Sequence, residues 1–134
     1  MSYPIVYGKF TLKVDCDGGE MAEIYKAIGN APAINDRNGP IVFTIRPLSR
    51  HPLTLKYRKS YFHRCYAAEI SFNCKMEGSN FSEICEDVEH FIEYLAHLEK
   101  MNTLGKIKVI QRKTAERDGT LCDEVNSKIY NINF

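Results

Sequence analysis

Hydrophobic and polar residues recur along this chain with two different periods, and each change of period marks an element. Between residues 80 and 100 the apolar positions are Phe81, Ile84, Cys85, Val88, Phe91, Ile92, Leu95 and Leu98, spaced i, i+3, i+4, i+7. At about 100° per residue they form a single stripe, which predicts an amphipathic helix docked on a sheet. Asn80 suits its N-cap, with Glu83 three residues on to complete a capping box. Lys100 suits the negative end of the helix dipole, and Asn102 with Gly105 offers a stop.

Elsewhere the period is two. Over residues 5–16, Val6, Phe10, Leu12, Val14 and Cys16 share one face, while Lys9, Thr11, Lys13 and Asp15 share the other. That is a half-buried strand. A short helix follows, with Asp17 as N-cap, Glu20 at the N3 position, a stripe of Met21, Ile24, Tyr25 and Ile28, and Gly29-Asn30 to end it. Residues 30–40 read as a loop. Further strands are predicted at 41–46 (Ile41, Phe43, Ile45 inward), 53–59 (Leu53, Leu55, Tyr57 inward) and 62–74 (Tyr66, Ala68, Ile70, Phe72, Cys74 inward). After the long helix come strands at 106–113 and 128–134, joined by about fourteen polar residues with a turn step at Asp118-Gly119.

The order β-α-β-β-β-α-β-β predicts one α+β domain over residues 1–134. Two amphipathic helices would cover one face of a mostly antiparallel sheet of five to six strands. A chain of 134 residues is one domain's length. No apolar run approaches the roughly 20 residues of a membrane span, and the N-terminus lacks a basic region followed by an apolar core. Five cysteines without a C-x-x-C pair argue against a disulfide framework and a zinc ribbon. The expected setting is therefore reducing and cytoplasmic, with no cofactor and no metal.

The net charge of +1 gives no global field, but the charge is unevenly placed along the chain. Seven acidic residues and no Lys or Arg lie from Glu77 to Glu99. The outer face of the long helix, with Glu83, Glu86, Asp87, His90, Glu93, Tyr94 and His97, suggests a surface for a protein partner with a basic face. Rows of carboxylates can imitate a phosphate backbone, as small inhibitors or adaptors of the anti-defence and immunity type do. Glu86, His90, Glu93 and His97 also have types that bind metal, but they lack the second histidine of an H-x-x-E-H site.

Six basic residues and no acidic one lie from Arg46 to Arg64: Arg46, Arg50, Lys56, Arg58, Lys59 and Arg64. Tyr57, Tyr61, Phe62 and Tyr66 are interleaved with them. Cations track phosphates and aromatic rings stack on bases, so this segment is a candidate site for single-stranded nucleic acid. An enzyme would need a nucleophile and its base. His63 and Cys65 share a strand face, yet side chains two residues apart stand roughly 7 Å from each other, too far for a direct hydrogen bond. A zinc site built from His63, Cys65 and Cys74 lacks a fourth ligand. A C-terminal strand at a sheet edge would invite pairing with a second copy, giving a homodimer.

Overall fold

Strand β1, Tyr3–Val14, is the centre of a five-stranded antiparallel sheet in the computed structural model, which describes residues 3–14, 20–37, 39–48, 66–78, 80–113 and 123–134. After β1 come helix α1 (Met21–Gly29), the two-residue strands β2 (Asn35–Asp36) and β3 (Gly39–Pro40), and β4 (Thr44–Pro47). Next are β5 (Ala67–Lys75), helix α2 (Phe81–Ala96), β6 (Met101–Lys113) and β7 (Asp123–Asn133). The large sheet has the order β4-β5-β1-β6-β7, and β2 pairs with β3 in a separate minimal hairpin. The predicted α+β class, with both helices over one face of a large antiparallel sheet, is thus found. Among the described residues no helix is long and apolar enough to cross a membrane.

The inward phase of β1 is as predicted: Val6, Phe10, Leu12 and Val14 are buried. On β5 the inward Ala68, Ile70 and Phe72 are buried and Cys74 is half-buried. α2 lays Ile84, Cys85, Val88, Phe91 and Leu95 on this surface, and α1 adds Ile24, Ala27 and Ile28. Each large aliphatic or aromatic side chain so buried contributes roughly 1.5–3 kcal/mol. Phe43, just before β4, stacks on Phe91 at 5.2 Å and meets Phe72 edge-on at 5.2 Å. Phe91 in turn meets Phe10 edge-on at 5.9 Å. Aromatic contacts therefore run from β5 through the β4 approach and α2 to β1. Asn80 caps α2 as predicted, its Oδ1 accepting from the Glu83 backbone N–H at 2.8 Å.

Several predicted boundaries move. α1 begins at Met21, and Glu20 occupies the cap position without a side-chain cap bond; Asp17 lies outside the described residues. Tyr25 is exposed, and Ala27 takes its place against the core. The loop at 30–40 contains the β2–β3 hairpin and a fully buried Ile34. Of the predicted strand 41–46 only β4 is regular, though Ile41, Phe43 and Ile45 do pack on the core. The predicted strand 53–59, the start of 62–74 and the Asp118-Gly119 turn lie outside the described residues.

α2 ends at Ala96, not near Asn102, because the backbone turns back at once. The His97 N–H donates to the Tyr94 carbonyl and Lys100 takes a left-handed φ of 60°. Asn102 and Gly105 then belong to β6. Gly105 is no stop signal; it is a point of closest approach. It pairs with Phe10, and a Cβ there would collide with the Lys9 carbonyl oxygen and with the backbone of Phe10. β7 starts five residues earlier than the predicted 128, and Asn126, Ser127 and Lys128 are all exposed, so this stretch has no apolar alternation to read. Phe134, the last residue of the predicted strand 128–134, is exposed.

Gly105→Ala is expected to destabilise the fold by at least about 2 kcal/mol, since backbone on the neighbouring strand must move to admit the methyl. Urea titration of the variant against wild type measures it, and a loss under about 0.5 kcal/mol would show that β1 and β6 part easily at this point.

Candidate functional site

Alternation that buries one side of the sheet exposes the other. On β1 the outward residues are Tyr3, Ile5, Tyr7, Lys9, Thr11 and Lys13, and the pairing registers set their neighbours. Lys9 stands between Ser71 of β5 and Lys106 of β6. Tyr7 stands between Asn73 and Lys108, with Ile129 of β7 next in the row. Lys13 and Lys75 flank them on β1 and β5, and Lys75 sits over the Tyr3 ring at 5.5 Å. Arg46 joins from β4, opposite Glu69. Among the described side chains this face thus carries Lys9, Lys13, Arg46, Lys75, Lys106 and Lys108 against one carboxylate, Glu69.

Glu69 is shared. Its Oε2 lies 3.1 Å from Arg46 Nη2 and 3.6 Å from Lys9 Nζ. Lys9 also has Lys106 directly across from it on β6. Like charges at directly opposed positions of an antiparallel pair are unfavourable, so the arrangement costs stability that nothing in the core requires. Next to this pair lies an open depression of ≈ 410 Å³ bordered by Tyr7, Lys9, Asn73, Lys106, Lys108 and Ile129. Tyr7, Leu104 and Ile129 are exposed large apolar residues of the same face. A depression of ≈ 390 Å³ between α1 and the turn after α2 has mixed lining charge, with Glu23, Lys26, Glu99 and Lys100.

The predicted acidic residues of α2 divide into two groups. Glu83, Glu86, His90, Glu93 and His97 are exposed along the outer ridge. Glu83, Glu86 and Glu93 make no ion pair with another described residue. Asp87 and Tyr94 serve the fold instead: Asp87 Oδ2 accepts the Asn35 backbone N–H at 3.1 Å, and the Tyr94 hydroxyl donates to the Ala27 carbonyl at 2.6 Å, joining the two helices. His97 Nδ1 lies 2.8 Å from the Glu93 carbonyl oxygen, to which it donates. Glu89, on the flank, reaches Lys128 of β7 at 3.5 Å. Among the described residues the helix layer is therefore acidic and the opposite face of the sheet basic.

Of the predicted nucleic-acid set only Arg46 is among the described residues; Arg50, Lys56, Arg58, Lys59 and Arg64 are not, nor are the catalytic candidates His63 and Cys65. No group of three or more metal-ligating side chains occurs among the described residues. Cys85 is buried under α2, and burial pushes its thiol pKa up, so it is held in the unreactive protonated form. Burial also raises the Tyr94 and Tyr130 hydroxyls, and the Tyr130 hydroxyl lies 3.5 Å from the Cys85 carbonyl oxygen. The basic face was not predicted from the sequence, although Lys9 and Lys13, like Lys106 and Lys108, fall on the outward phase of their strands. Comparison with protein-family models, curated proteins and solved structures gave no match, so the function rests on this geometry.

One buried and two half-buried acids with raised pKa values make stability fall in alkali. Below the ordinary thiol value of 9.0 their folded and unfolded forms are equally protonated, and no stability is lost. Above it the unfolded chain releases protons that the folded chain retains, so each further rise in pH favours unfolding. A melting temperature that stays flat through neutrality and drops beyond pH 9.0 is expected, and Cys85→Ser with Tyr130→Phe should flatten the drop.

Proposed function

We propose that this protein is a non-catalytic binding module that holds single-stranded nucleic acid on the open face of its sheet. One observation carries the reading: Lys9 and Lys106 are held in direct opposition at the middle of a basic face, beside an exposed Tyr7. An arrangement of like charges that lowers stability is relieved when phosphate lies between them. Lysine is a mobile point charge, so such contacts supply affinity and register but little sequence discrimination. Tyr7 offers a flat surface on which a base can stack for roughly 1–3 kcal/mol. The neighbouring Asn73 and Asn131 supply amides that can donate to or accept from a base edge.

Fluorescence anisotropy of a labelled oligonucleotide tests the reading. Three or four phosphate contacts should give log K a slope of about −2 to −3 against log salt, at roughly −0.7 per contact for a single strand. Lys106→Ala should reduce the slope by about 0.7, and Tyr7→Ala should weaken binding roughly five- to hundredfold without changing the slope. No binding at about 50 mM salt removes the reading.

A second reading has its own support in the row of exposed Glu83, Glu86 and Glu93 along α2. Carboxylates left unpaired on one helix face would steer the protein to a partner with a basic surface, in the manner of a small inhibitor or adaptor. Glu86→Lys with Glu93→Lys leaves the Asp87–Asn35 and Tyr94–Ala27 bonds in place. This variant, used as bait beside wild type, should lose whatever basic protein wild type retains. Equal retention by the folded variant counts against the ridge.

A further inference from the structure

Among the described residues, the two edges of the sheet are protected very differently. β4 is four residues long, carries Arg46 and ends in Pro47, which are the usual means of keeping an edge from pairing. β7 is eleven residues long, and among the described residues nothing pairs with its outer side. Its register with β6 shifts only between Gln111 and Arg112; from Asn126 to Asn133 it is regular and free of proline. The one charge in that stretch, Lys128, lies on the helix side, paired with Glu89. Ile129, at the middle of the edge, is 54% exposed.

The alternation of hydrogen bonds fixes which groups face outward. Thr103 and Phe134 exchange both backbone bonds at 2.9 Å. In an antiparallel ladder the same then holds for Gly105 with Ile132, Ile107 with Tyr130 and Val109 with Lys128. The N–H and C=O groups of Ser127, Ile129, Asn131 and Asn133 consequently point away from the sheet. We infer that this edge binds a second copy of the chain, β7 against β7 and antiparallel, about a two-fold axis through Tyr130. In that register Ser127 meets the partner's Asn133 and Ile129 meets the partner's Asn131, and the reverse. Every outward group between 127 and 133 is then matched by its own symmetry mate, so the segment is complementary to itself. The product is a continuous ten-stranded sheet with the open faces of both copies on the same side. This inference stands independently of the nucleic-acid reading.

Size-exclusion chromatography with light scattering at about 50 µM should give twice the chain mass of 15.4 kDa. A wild-type monomer at that concentration overturns the inference. Ile129→Pro removes one outward N–H and none that β6 uses, so it should give a folded monomer. A folded Ile129→Pro that remains dimeric also overturns it, because the contact then lies elsewhere. Where proline prevents folding, Ile129→Lys with Asn131→Lys sets lysine against lysine across the axis and should likewise dissociate the dimer; persistence again refutes the edge. Backbone amide exchange gives a direct reading of register: Ile129 and Asn131 N–H should exchange slowly in the wild-type dimer and fast in the dissociated variant. Fast exchange at both positions in a wild-type dimer excludes this pairing.

Discussion

Everything else in the fold depends on β1 having a hydrogen-bonded neighbour along each edge. It pairs with β5 from Ile5 to Lys13 and with β6 from Tyr3 to Val14. With its backbone committed on both sides, its side chains have only up and down left, and the alternation of apolar and polar residues decides which is which. A slip of one residue would place Phe10 and Leu12 in water and Lys9 and Lys13 under the helices. Gly105 holds that register by allowing β6 to come close at Phe10, and Phe91 closes over Phe10 from α2.

The parts of this arrangement that were legible in the sequence are those where burial is one-sided and local. The α2 stripe and the Asn80 cap are examples, because a helix writes its contacts within four residues of themselves. The inward phase of β1 is another. Harder to read were elements whose identity comes from a distant partner. Gly105 resembles a terminator until the strand opposite is known, and its real constraint lies at Lys9 and Phe10, far away in the chain. Asn126, Ser127 and Lys128 of β7 are polar and exposed, so they carry no periodic signal. Ile34 looked like a loop residue since proline, glycine and asparagine surround it, yet it is fully buried.

The same distinction explains what happened to the candidate sites. Runs of charge in the sequence, at 46–64 and 77–99, drew attention because they are contiguous. Apart from Arg46, the basic face of the sheet is assembled from single lysines on β1, β5 and β6, none of them part of a run. Lys9 and Lys106 are nearly one hundred residues apart in sequence and directly opposed in space. Only strand order makes them neighbours, and strand order is what local patterning leaves open. The acidic ridge, written on one helix, was legible as a set; the uses of Asp87 and Tyr94 as ties to Asn35 and Ala27 were not.

One consequence follows from having carboxylates over one surface and lysines on the other in a molecule of net charge +1. Such a molecule is nearly invisible to a distant charged object as a monopole, yet among its described residues the two surfaces carry opposite signs. The helix layer that separates the two surfaces is about 10–12 Å thick, which exceeds the Debye length of about 8 Å at physiological salt. A charged macromolecule that comes close therefore feels chiefly the nearer surface. The two sides of the domain are thus sorted by the sign of what approaches.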